Sequence, residues 1–284
     1  MKQDGHSLTA HKVAIMRAAH QVFDNPKILE DPIALSIIGS QGVSDIRKEK
    51  RKFESRIQKY LRAIVIARSR FVEDELSAAI NRNIRQYVIL GSGLDTLAYR
   101  NPYSSAGLKM FEVDYPSTQE WKRRQLEAAK IAIPDLLTFT PIDFEHQPLE
   151  NRLREAGFRA DEPSFFSWLG VTMYLSREAM MKTMQSILSV SSPGTGIVFD
   201  YVVPPASQTF LRRLVFRLLS NKVRSFGEPW QTFYDPTSLI KDLRTIGFKQ
   251  AEDIGPEDIN ARFFDGRADK LRVGNFGHLM KAQV

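Results

Sequence analysis

Two apolar runs constrain the fold of this chain more than anything else in it. The first, Tyr87-Val88-Ile89-Leu90, stops at Gly91-Ser92-Gly93-Leu94-Asp95-Thr96. The second, Phe111-Glu112-Val113, ends on Asp114, 23 residues after Gly91. An open α/β sheet prepares a nucleoside site in this way. Glycines let a ligand approach the backbone where the first strand turns into a helix. An acid at the tip of the neighbouring strand accepts hydrogen bonds from ribose hydroxyls.

A dinucleotide fingerprint would need Gly or Ala at the sixth position, which here is Thr96, so pyrophosphate binding is disfavoured. A ligand with a ribose and no phosphates needs only the first glycines and the acid, and S-adenosylmethionine is such a ligand. The residues alone also fit a tight strand-to-helix turn in some other α/β protein.

The surrounding pattern supports an α/β sheet. Helical periodicity covers about Ser7 to Phe23, Asp31-Pro32 opens a short helix, and a long helix is predicted from Lys50 to Asn81. Strands and helices then alternate. Strands fall near 86–91, 108–113, 136–142, 164–171 and 195–203, with helices at 95–100, 116–130, 148–157 and 176–190. That rhythm means a mostly parallel sheet with helices on both faces. Ser207 to Asn221 is amphipathic, Pro236 to Ile246 is helical, Phe248 to Ile254 reads as a strand, and 271–283 supplies a last, antiparallel one. Gly91, Asp114, Asp143 and Gly170 all fall at strand ends, where open sheets bind ligands.

With 284 residues, 43% hydrophobic and 26% charged, the chain reads as a globular protein. It has no apolar run of the ~20 residues a membrane span requires and no signal-peptide centre, so a cytoplasmic location is expected. The absence of cysteine excludes disulfides and thiolate metal sites. The net charge of +7 is concentrated in Arg47–Lys52, Lys122-Arg123-Arg124, and Arg212, Arg213, Arg217, Lys222 and Arg224. All lie in or beside predicted helices and read as solvated helix faces. No nucleic-acid motif accompanies them.

One charge is out of place. On a helical wheel Phe53, Ile57, Leu61, Ile64, Phe71 and Val72 form an apolar stripe, and Arg68 sits near its centre. A guanidinium facing a core requires an anion. Glu75 shares the face but lies about 10 Å along the axis. The partner is therefore an acid from elsewhere in the chain, or a ligand carboxylate.

Several segments together resemble the leucine carboxyl methyltransferase family of S-adenosylmethionine-dependent enzymes, most closely its bacterial members, which include polyketide carboxyl methyltransferases. They are Ala67-Arg68-Ser69-Arg70-Phe71, Ile89 to Thr96 with Tyr99-Arg100, Phe111 to Pro116, Pro141-Ile142-Asp143-Phe144, Phe166 to Leu175 and Gly227-Glu228-Pro229-Trp230. The resemblance spans about residues 50–280. It implies a Rossmann-like class I methyltransferase with a seven-stranded sheet. Residues 1–82 would form an N-terminal helical extension, 83–203 the cofactor-binding core, 204–235 a helical cap insertion and 236–284 the completion of the sheet, all in one domain. It makes Arg68 the partner of the cofactor carboxylate. Gly91 and Gly93 line the methionine and ribose portion, Asp114 holds the ribose hydroxyls, Asp143 accepts from the adenine amino group, and the Phe144 N–H contacts the ring. Leu169 departs from the pattern: the leucine-specific enzymes have a glutamate there, so their phosphatase-tail substrate does not transfer.

The expected activity is methyl transfer from S-adenosylmethionine to a carboxyl group of a small acid or metabolite. A carboxylate of pKa ~4 is ionised at neutral pH and needs no general base, whereas a hydroxyl acceptor does. His6, His11, His20, His146 and His278 lie in no catalytic motif and read as surface or cap residues, with His146 alone near a strand tip. No catalytic residue is assigned and no metal set is visible. A non-catalytic cofactor-binding protein and a nicotinamide-dependent oxidoreductase are the alternatives; Thr96 and the lack of a placed Tyr-x-x-x-Lys argue against the second. The oligomeric state is not legible.

Overall fold

A computed structural model describes residues 7–143, 147–204 and 230–284. The strands are β1 (Gln86–Leu90), β2 (Lys109–Asp114), β3 (Leu137–Pro141), β4 (Phe165–Trp168), β5 (Gly196–Val202), β6 (Gln250–Ile254) and β7 (Gly277–Gln283). They form one sheet in the order β3-β2-β1-β4-β5-β7-β6. β3, β2, β1, β4 and β5 run parallel, and β7 is antiparallel to both β5 and β6. This is the Rossmann-like seven-stranded sheet that the resemblance implies, mostly parallel with an antiparallel end.

Alternation along buried strands supplies two cores. Val88 and Leu90 of β1 join Phe111, Val113, Phe166, Trp168 and Phe199 on one face. That face is covered by α6 (Leu149–Glu155), α7 (Arg177–Ser189) and α8 (Pro236–Ile246), through Leu153, Met180, Met184, Leu239 and Leu243. Tyr87 and Ile89 face the other way, against Ala63, Ala67, Phe71 and Leu76 of α4 (Arg56–Asn81) and Ile259 of α9 (Pro256–Phe263). α5 (Pro116–Ala128) meets α1 (Leu8–Phe23) and α2 (Ile33–Lys48) through Trp121, Ala14 and Ile37.

Several elements differ from the sequence pattern. The helix expected from Lys50 to Asn81 breaks into α3 (Lys50–Phe53) and α4, because Ser55 adopts an extended N-cap conformation with its hydroxyl on the Lys52 carbonyl. The helix expected at 95–100 is a 3₁₀ turn over Leu97–Arg100. The strand expected over 164–171 stops at Trp168, where Gly170 enters the left-handed region at φ +75°. The last strand starts at Gly277 rather than 271. α9 was not expected, although Pro256 followed by Glu257 and Asp258 is a helix-start signal. The amphipathic segment 207–221, most of the cap and the 212–224 basic cluster lie outside the described residues.

Two charge assignments also change. Lys122 is no solvated helix residue: it is fully buried with Nζ 2.6 Å from Glu112, also fully buried. Burial pushes the Glu112 carboxyl up to about 7, against the pull of Lys122. His20 is not at the surface either. Its Nε2 accepts from the Ile28 and Leu29 N–H groups, which leaves Nδ1 to donate to Asp24 at 2.8 Å. Asp24 in turn receives Arg62, wholly buried, through Nε at 2.7 Å and Nη2 at 2.8 Å. This buried cluster fixes α1 on α4 before the sheet begins.

Candidate functional site

At the carboxyl ends of the parallel strands the glycine turn after β1 meets the acidic tip of β2. Gly91 leaves β1 at φ +65° and donates to the Val113 carbonyl at 2.8 Å. Gly93, at φ +46°, donates its N–H to Asp114 Oδ2 at 2.6 Å, while Asp114 Oδ1 accepts from Tyr115 N–H at 2.7 Å. Two main-chain donors thus fix the orientation of the Asp114 carboxylate, which can accept about four hydrogen bonds in all. Gly91, Gly93 and Asp114 line one cavity of about 400 Å³ together with Arg68, Asp143, Leu169 and Gly170.

α1 forms the roof. Ser7, Thr9, Ala10, Val13 and Arg17 line the same cavity. A Cβ on Gly93 would lie 3.0 Å from that of Ala10, so the helix rests directly on the glycine loop. Arg17 locks it there, donating Nε to Asp31 at 2.9 Å, Nη1 to Asp95 at 2.8 Å and Nη2 to Thr96 Oγ1 at 2.9 Å. Thr96 donates onward to Asp31 at 2.7 Å. The position where a dinucleotide fold needs a small residue therefore holds a side chain committed to the helical extension.

Arg68 is 7% exposed and finds an acid within the chain, with Nη1 2.6 Å from Asp200 Oδ2 on β5. Asp200 Oδ1 also accepts the Gly170 N–H at 2.6 Å. The sequence reading left the partner open between an acid and a ligand. The protein supplies the acid, and Arg68 still faces the cavity. Val171, Tyr174, Leu175 and Gln231 also line the cavity, the last anchored by its N–H to the Met173 carbonyl at 2.8 Å. Phe144 and His146 lie outside the described residues.

Sequence reasoning missed Asp200, Arg17 and Asp95. Asp200 interrupts the buried run Gly196-Ile197-Val198-Phe199, the signal that exposed Arg68. Arg17 shares the buried side of α1 with Ala14 and Ala18 and carried the same signal.

The leucine carboxyl methyltransferase family profile matches residues 10–188. YktD of Bacillus subtilis, assigned to the S-adenosyl-L-methionine-dependent methyltransferases, is 32% identical over 99% of both chains. This chain belongs to the leucine carboxyl methyltransferase family. A protein of Mycolicibacterium paratuberculosis with the same assignment is 30% identical over 78% of this chain and 72% of its own. Two solved structures share the fold. One is a protein of Thermobifida fusca assigned to the methyltransferases, with TM-score 0.57 and 15% identity, covering 87% of this chain and 91% of that one. The other is a DUF574 family protein of Streptomyces avermitilis, with TM-score 0.58 and 14% identity, covering 96% and 97%. The chain is accordingly a methyltransferase that uses S-adenosylmethionine. Among the described residues no helix is long and apolar enough to cross a membrane.

Proposed function

We propose that the cavity under α1 holds S-adenosylmethionine and that the enzyme methylates a carboxyl group of a small acid or secondary metabolite. The observation that carries the placement is the convergence of Gly93, Asp114 and Arg68 on one cavity. In this reading Asp114 receives the ribose hydroxyls and Asp143 the adenine amino group. The Phe144 N–H touches the ring, and Arg68 meets the amino-acid carboxylate. Gly91 and Gly93 offer bare backbone to the methionine and ribose portion. The residues fit the group: a carboxylate fixed by main-chain donors suits a diol, and a guanidinium suits a carboxylate.

When bound, the cofactor supplies a sulfonium-activated methyl group, so the chain need not create an electrophile. Its tasks are to align the acceptor and exclude water. Among the described lining residues there is no histidine, lysine or cysteine to serve as base. The acids Glu73 and Asp95 are each paired to an arginine, Arg100 and Arg17. This supports an acceptor already ionised at neutral pH.

Two results check this reading. Mass-spectrometric screening of small acids should find a +14 Da product that mild alkali hydrolyses, with a rate flat from about pH 6 to 8. An alkali-stable ether, or a rate that climbs with pH, would move the acceptor to a hydroxyl. Cofactor binding with no product from any acid would point to an acceptor of another chemical class. Separately, Asp114→Ala should weaken S-adenosylhomocysteine binding by about 1–3 kcal/mol in calorimetry, because ribose hydroxyls lose a charged acceptor. Unchanged affinity in a folded variant would remove Asp114 from the site.

A further inference from the structure

Asp200 stands behind the cavity rather than on its wall. It is 3% exposed and reaches no lining surface of its own, yet both of its oxygens are bound to groups that do. Oδ2 takes Arg68 Nη1 and Oδ1 takes the Gly170 N–H, each at 2.6 Å. Its main-chain carbonyl accepts the Thr172 hydroxyl at 2.5 Å. One residue on β5 therefore holds the guanidinium from below and the turn after β4 from the side.

Gly170 completes the bracket. A Cβ there would lie 2.8 Å from Arg68 Nη2 and 3.2 Å from Cζ, so the guanidinium is seated against bare backbone. Any other residue would also adopt φ +75° at a cost. Arg68 has a long side chain with considerable rotamer freedom. Fixed at Nη1 by a carboxylate and flanked by a glycine, it is held in one orientation, and among the described residues Nη2 and Nε make no hydrogen bond that would compete with a planar anion.

We propose that Asp200 is the positioning residue for recognition of the amino-acid carboxylate of the cofactor. It acts through Arg68 and makes no contact with the ligand. The inference rests on the placement of that carboxylate at Arg68. It gives Asp200 a consequence that a purely structural ion pair would lack. Loss of its charge weakens ligands that carry the amino-acid portion and spares nucleosides that do not.

The test measures calorimetric affinity for S-adenosylhomocysteine and for 5′-methylthioadenosine, which has the adenosine but no amino acid. Wild type, Asp200→Asn, Arg68→Met and the double variant are compared. Asp200→Asn keeps the size and an acceptor for the Gly170 N–H. It should lose about ten-fold or more in affinity for S-adenosylhomocysteine, with methylthioadenosine unchanged. In the Arg68→Met background, adding Asp200→Asn should cause no further loss for either ligand. Equal losses for both ligands, or additive losses in the double variant, would overturn the proposal and leave Asp200 a structural residue. If Asp200→Asn does not fold, Asp200→Glu keeps the charge but moves it by one methylene. The same selective loss is expected there, and an equal loss again overturns it. A wild-type protein that prefers methylthioadenosine to S-adenosylhomocysteine would overturn the carboxylate placement at Arg68 as well.

Discussion

Arg17→Met is expected to destabilise the protein by about 3–5 kcal/mol at neutral pH, because it removes one partner from a buried ionic cluster and strands the rest. Asp31 is fully buried and, among the described residues, would keep Arg100 at 3.5 Å as its one cationic partner. Asp31 also caps α2 through the Ala34 N–H at 3.1 Å, so its displacement reaches the second helix. Asp95 would lose its only guanidinium among the described residues. Burial favours the protonated Asp95, but Arg17, Lys122 and the Leu97 N–H overcome that and hold it down to about 2. A folded value below the ordinary 3.8 contributes stability that is present above pH 3.8 and lost as the pH falls towards 2. The shift corresponds to about 2 kcal/mol. In the variant burial acts on Asp95 unopposed by Arg17, and Asp95 takes up its proton at higher pH. The deficit relative to wild type should therefore be largest at pH 7 and shrink at pH 4. Urea unfolding at the two pH values measures this. Equal deficits at both would show that lost packing, not charge, explains the effect.

How much of this could be read from the chain depends on the range of each signal. The parallel core is written locally: apolar runs of strand length, helical periodicity between them, and glycines at the switch. Its sheet was legible for that reason. The glycine loop and Asp114 were legible because ligand geometry demands those residue types at strand tips, and the structure joins them by the bond from the Gly93 N–H. Pairings between distant segments left no local trace. Lys122 sits in a basic triplet that looks like a solvated face, and only the fold carries it to Glu112. Arg68 was recognisable as anomalous, but its partner lies 132 residues further on, in β5. Asp200 was itself anomalous within a strand of otherwise apolar and aromatic residues. Glu112 is equally anomalous in β2, so the sequence could flag both acids but only the fold pairs Arg68 with Asp200. The break at Ser55 escaped notice because the apolar stripe continues across it, and periodicity reports the face of a helix better than its continuity.

Gly91→Val is expected to reduce S-adenosylhomocysteine affinity by about 100-fold or more, equivalent to about 2.7 kcal/mol. Two effects combine. Position 91 has φ +65°, a region that costs an L-residue roughly 1–2 kcal/mol and that β-branched side chains adopt least readily. A Cβ there would also lie 2.4 Å from Val171 Cγ2, in the turn after the neighbouring strand β4, so the two turns must move apart. Gly107→Val separates the two. Gly107 has nearly the same φ, +69°, at the end of a 3₁₀ turn, but a Cβ there meets nothing within 4 Å. Both variants should lose melting temperature from backbone strain, Gly91→Val the more because of its clash with Val171. Only Gly91→Val should lose binding, while Gly107→Val stays within about two-fold of wild type, since surface substitutions far from a site change little. Retained affinity in a folded Gly91→Val variant would show that the backbone at position 91 does not face the ligand. The nucleoside would then have to lie further along the strand ends, towards Asp143.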